Sequence, residues 1–174
     1  MKRLAFVLLF LTSNIYSETI NGHALPPEPD PKINNSTLLG IDSNNNGVRD
    51  DVEIWIYETY NHPIERGIFM QSARAYNRII VAPGKAKETK KYSDNSVSCS
   101  TYWIFEHKPI PFDKYDFYAH RKELKLKQFN NIKRHIAYEK YQAELSGGVY
   151  PLLPTLKEKC EFDENGILKA LISK

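Results

Sequence analysis

Asp42-Ser43-Asn44-Asn45-Asn46-Gly47-Val48-Arg49-Asp50-Asp51-Val52-Glu53 sets oxygen-bearing side chains at alternating positions of a twelve-residue stretch. A hard divalent cation is held in a tight loop by such donors at positions one, three, five and nine, a backbone carbonyl at seven and a bidentate acid at twelve. Asp42, Asn44, Asn46, Asp50 and Glu53 fill the side-chain positions, Val48 stands at the seventh and Gly47 at the sixth, where the chain must turn sharply. The spacing predicts a Ca2+ loop. The alternative is an Asn/Asp-rich turn that only caps the helix beginning at Asp50. Such a cap needs no acid at Glu53, whereas calcium draws on a bidentate carboxylate to reach about seven oxygens, and magnesium prefers a smaller octahedral cage. Two of the ligands are neutral amides, which predicts micromolar to millimolar affinity and a structural role for the ion.

Working outward, a helix is expected over 50–60, with Val52, Trp55, Ile56, Thr59 and Tyr60 on one face and Glu53 in its first turn. Pro63 opens a second helix, in which Ile64, Ile68, Ala75, Tyr76 and Ile79 recur at helical spacing until Pro83-Gly84 stops it. The lysine-rich stretch 85–98 suits a loop or a solvated helix. Residues 99–105 form a buried aromatic segment for which strand and helix both stay open. Helices are expected over 114–128 and 131–145, the second with Ile132, Ile136, Tyr141 and Ala143 inward and Gly147-Gly148 after it. Pro151 and Pro154 bound a loop, and a turn at 163–166 precedes a short C-terminal helix. The expected fold is all-α, an irregular small helical bundle over 38–174.

Upstream, four prolines within 26–31 predict a Pro-rich extended arm over 18–37, with Leu25 packed on the domain. Asn34-Asn35-Ser36-Thr37 contains N-glycosylation sequons, which matter only in a eukaryotic secretory pathway. Lys2 and Arg3, the apolar run 4–11 and the small residue Ser17 have the pattern of a signal peptide over 1–17. A periplasmic or secreted location follows as an expectation. No stretch supplies the ~20 apolar residues of a membrane span, and no cysteine near Ser17 offers a lipid-attachment point. Without Lys2 and Arg3 the chain carries 22 basic against 21 acidic residues, too balanced for a protein that coats nucleic acid. The two cysteines, Cys99 and Cys160, are expected to pair in an oxidising compartment. They are too far apart in sequence to read as a CxxC redox or zinc motif.

Over 41–60 the sequence resembles the EF-hand loop, in particular the half-hand forms of bacterial dockerins and thrombospondin type 3 repeats. That resemblance implies calcium ligation by the residues named above. Residues 31–40 supply no incoming helix and no second loop is present, which departs from calmodulin-like sensors and from dockerins that bind cohesins. Leu38-Leu39-Gly40-Ile41-Asp42, Gly47-Val48-Arg49-Asp50-Asp51-Val52-Glu53 and Leu145-Ser146-Gly147 are similar to a group of exported bacterial proteins, a resemblance that implies export but no activity.

Two further sets of residues carry chemistry. His120-Arg121-Lys122, Lys125, Lys127 and Lys133-Arg134-His135, interleaved with Phe117, Tyr118 and Phe129, read either as a face for phosphate or anionic lipid or as a solvated helix surface. Glu106, His107 and His135 are the residues a calcium-stabilised hydrolase would use. No HExxH, Gly-x-Ser-x-Gly or Gly-rich phosphate motif accompanies them. The sequence therefore points to an exported calcium-binding protein that works through an unknown protein partner rather than by catalysis.

Overall fold

The structure, a computed structural model, describes residues 18–107 and 114–169. Among them a two-stranded hairpin, β1 (Thr19–Ile20) and β2 (His23–Ala24), leads into six α-helices: α1 (Pro31–Asn34), α2 (Asp50–Thr59), α3 (Pro63–Val81), α4 (Ala86–Thr101), α5 (Lys114–Gln128) and α6 (Ile132–Leu145). The expected all-α class holds. The expected signal peptide over 1–17 lies outside the described residues.

The central element is α3. Pro63 occupies its first turn, where a missing N–H costs nothing, and the His62 ring accepts a hydrogen bond from the Ile64 amide as a cap. Helices α2, α4, α5 and α6 all pack on it. Accordingly Ile64, Ile68, Phe69, Ala73, Ala75, Ile79 and Ile80 are all buried, more of the helix than one stripe would cover. Val48, Val52 and Ile56 from the loop and α2, Trp103, Leu124 of α5 and Phe162 complete the core around it. Gly67 has a packing reason: a β-carbon there would stand 2.7 Å from the Phe162 ring.

Cys99 and Cys160 are joined in a disulfide with Cα atoms 4.9 Å apart and a sequence separation of 61. Closing a loop of that length contributes up to about 4 kcal/mol on chain-entropy grounds. Gln71, on α3, seats the same C-terminal segment, donating to the Lys159 carbonyl at 2.8 Å and accepting from the Glu161 amide at 3.1 Å.

Four local expectations are corrected. The arm over 18–37 is not wholly extended. Asn21-Gly22, both at positive φ, turn the hairpin, and Asp30 caps the single turn α1 with Pro31 at its start. Two open alternatives are decided rather than corrected: 86–98 is the solvated helix and not a loop, and 99–105 is the end of α4 followed by a π-helical turn, Tyr102–His107. On α6 the inward face is Arg134, Ala137 and Tyr141, while Ile132 and Ile136 are 70% and 59% exposed and Ala143 is also exposed. The helix is turned because the Arg134 guanidinium is committed to the arm. Finally, 167–169 are not helical; Leu168 bridges to Phe162, and the rest of the expected C-terminal helix lies outside the described residues. Thr59 is exposed too, its hydroxyl bonded to the Trp55 carbonyl one turn back.

Candidate functional site

The loop 42–53 folds on its own side chains. Asn45 and Gly47 take left-handed conformations, at φ 56° and 83°, which their residue types tolerate. The turn they make brings the amides of Asn46 and Gly47 onto the two carboxylate oxygens of Asp42, at 3.1 and 2.9 Å. Asn44 and Asn46 both donate their side-chain amides to Oε2 of Glu53, at 3.0 and 2.8 Å, across the loop from the first turn of α2. Asp50 accepts the Ser43 amide, and the Val48 amide donates to Asn46 Oδ1 at 2.9 Å. Val48 is fully buried, so the core fixes the backbone at the seventh position. The candidate ligands thus lie on one loop, with Asn44 and Asn46 meeting Glu53 directly and Asp42 bonded to the Asn46 and Gly47 amides.

Asp50 and Glu53 are 1% and 5% exposed. Among the described residues, Asp42, Asp50 and Glu53 form no ion pair with a lysine, arginine or histidine. Burial pushes the Glu53 carboxyl up, repulsion from Asp50 and Asp42 adds to this, and the Asn44 and Asn46 hydrogen bonds oppose it. Asp50 is raised by burial first, then by Asp42 and Asp51, against the Ser43 hydrogen bonds. No three His, Cys, Asp or Glu side chains are gathered as a metal group among the described residues. The donor set of this loop is instead carboxylates mixed with amide and carbonyl oxygens, which suits a hard cation and not a soft one. The residue types fit calcium. As placed, the two Asn side chains present NH2 groups to Glu53, so ligation needs those amides turned over.

Several residues that hold the loop escaped sequence reasoning. Asn77 of α3 donates to the Gly47 carbonyl at 2.6 Å, and Arg74 lies against Gly47. Arg49, fully buried, pairs with Asp51 at 2.5 Å and caps the end of α5 through the Lys127 and Gln128 carbonyls. Arg134, equally buried, donates to the Asn34 and Leu38 carbonyls and to the Asn35 and Asn130 side chains. Burial and the nearby Arg49 push its pKa down to about 10. Asn34, read as a sequon, is buried and accepts the Ile41 amide at 2.9 Å. Gly40, at φ 73°, sits where a side chain would strike Arg49, Asn34 and Arg134. Only the spacing of Arg134 with Ala137 and Tyr141 could have marked it as inward.

The other sequence candidates are dispersed. In the basic run Lys122, Lys127, Lys133 and His135 are exposed, Lys125 lies over the Tyr138 ring at 4.0 Å, and Arg134 is buried. Glu106 is exposed, His107 stacks on Tyr102, and His135 neighbours Glu139 on α6. No helix among the described residues is long and apolar enough to cross a membrane. Comparison with known proteins finds no matching family model, no similar curated protein and no similar solved structure.

Proposed function

We propose that the loop 42–53 binds Ca2+ in a structural role, in an exported protein that acts by binding a protein partner rather than by catalysis. The observation that carries this reading is the pair of buried carboxylates, Asp50 and Glu53, beside Asp42 and without a basic partner among the described residues. Burying charge without a counter-ion is costly, and a divalent cation removes that cost. Asp42, Asn44, Asn46 and Glu53 would hold the ion with the Val48 carbonyl, and Asp50 would complete the set directly or through water. Its contribution is charge neutralisation, which fixes the start of α2 against the loop. The disulfide Cys99–Cys160 is compatible with export to the periplasm or beyond, where calcium is plentiful.

The test is a thermal melt of the oxidised protein, lacking 1–17, in millimolar calcium and in chelator, alongside Asp42→Ala and Glu53→Gln. At a calcium concentration of 100 Kd the ion adds about 2.7 kcal/mol, read as a higher midpoint that both variants lose. A midpoint indifferent to calcium would overturn the proposal and leave the loop a helix-capping turn.

A further inference from the structure

Beside the loop, a groove of about 560 Å3 is walled by Arg74, Arg78 and Val81 of α3, by Lys91 and Tyr92 of α4, and by the outer edge of 42–53. That volume lies in the range of small-molecule sites. Most charges around it are already matched. Arg74 pairs with Glu161 at 2.6 Å, Glu88 lies 3.8 Å from Lys85, and Asp42 accepts two loop amides.

Arg78 and Lys91 are the exceptions. Both are exposed, and both stand over the single ring of Tyr92, at 4.5 and 5.2 Å from its centre. Among the described residues neither has a carboxylate partner, and no side-chain hydrogen bond of Arg78 is made to protein. Two like charges held within about 5 Å of one ring centre repel each other, and an anion that reaches both relieves that repulsion. The ring supports the guanidinium through its face, which leaves in-plane N–H donors for a carboxylate or phosphate. Val81 and Leu39, 61% and 49% exposed, add apolar surface to the same groove.

We propose that this groove binds a small organic oxyanion, a carboxylate or phosphate carried on an apolar body, with Arg78 and Lys91 taking the charge and Val81 and Leu39 the body. None of the four belongs to the loop 42–53, whose outer edge only walls the groove, and the test is run in chelator so that its outcome does not depend on calcium.

The oxidised protein lacking 1–17, 15N-labelled and in chelator, is titrated with phenyl phosphate, with 4-phenylbutyrate and with neutral 4-phenylbutyramide, followed by NMR and calorimetry. Saturable binding of either anion is expected, with amide shifts around 78–82 and 88–92, and none of the neutral amide. Binding of only one anion identifies the charged group and supports the site equally. The double variant Arg78→Gln, Lys91→Gln weakens affinity at least about tenfold, while Lys133→Gln on α6 leaves it unchanged. Both altered residues are solvent-facing, and an unchanged melting midpoint establishes that the double variant is folded. Absence of saturable binding by both anions up to about 10 mM, a range that covers even weak sites, overturns the proposal. Equal affinity in the double variant overturns it as well.

Discussion

Asn77 reaches from α3 to the loop 42–53 and donates its side-chain amide to the Gly47 carbonyl at 2.6 Å, while its oxygen accepts a hydrogen bond from Gln128 at the end of α5. One side chain thereby registers three elements. Asn77→Ala leaves both partners unmet and is expected to cost about 1–3 kcal/mol in urea unfolding. Asn77→Asp keeps an acceptor for Gln128 but sets a carboxylate against a carbonyl, so it should cost more than the alanine. Equal stability of Asn77→Asp and the parent protein would show that this contact does not hold the loop.

The buried carboxylates predict a pH dependence. Burial is the main cause that lifts Glu53 above its ordinary 4.5 and Asp50 above 3.8. A carboxyl raised in the fold binds its proton more tightly folded than unfolded. Ion-free protein should therefore lose stability as pH climbs from those ordinary values through the raised ones. Calcium pairs with the ionised form and opposes the loss, so its stabilising effect should grow as pH climbs from about 4 toward 7. Melts in chelator and in calcium across that range check the sign. Glu53→Gln should flatten the ion-free curve.

Arg134 replaces a carboxylate partner with backbone. Its guanidinium is fully buried and meets the Asn34 carbonyl at 2.7 Å, the Leu38 carbonyl at 2.8 Å and two asparagine side chains. The planar fork of five donors is what allows one cation to serve so many acceptors. Arg134→Lys supplies three donors from a point and should cost about 2–4 kcal/mol, with the arm over 18–37 becoming the first site of proteolytic cleavage. A wild-type cleavage pattern would mean that the arm is anchored elsewhere.

What could be read in advance was whatever rests on local spacing. The loop, the helices that begin at Asp50 and Pro63, and the pairing of Cys99 with Cys160 needed only short patterns or a cysteine count. The face of α6 was misjudged because a buried cation interrupts its apolar stripe: Arg134 takes the place a leucine would, and Ile132 and Ile136 are left exposed. The hairpin turn Asn21-Gly22 is a recognisable signal, but it stands beside a proline-rich run that argued for extension. Residues 99–105 were ambiguous because length and aromatic content do not distinguish a strand from the wound end of a helix. The groove could not be read at all, since it joins Leu39 to Arg78 and Tyr92 only through tertiary packing.

Gly67 illustrates a position whose helical propensity misleads. Glycine inside a helix costs about 1 kcal/mol relative to alanine, yet a β-carbon here would stand 2.7 Å from the Phe162 ring. Phe162 is itself buried close to the disulfide-bonded Cys160. Gly67→Ala should therefore destabilise, by about 1–3 kcal/mol. Denaturant titration decides between that and the stabilisation propensity alone would give.

Asn44→Asp separates an ion site from a plain turn by giving opposite signs in two buffers. In chelator the substitution removes the amide that donates to Glu53 Oε2 at 3.0 Å and puts a carboxylate beside an acid that is already buried and unpaired. The midpoint in chelator should fall, by the equivalent of about 1–3 kcal/mol. In calcium the same carboxylate becomes a charged ligand at the third position, and ligand charge is what tunes affinity in loops of this kind. The dissociation constant should tighten by about tenfold, so the calcium-induced rise in midpoint exceeds that of the parent protein. A turn that only caps α2 has no use for the added charge and would be destabilised equally in both buffers.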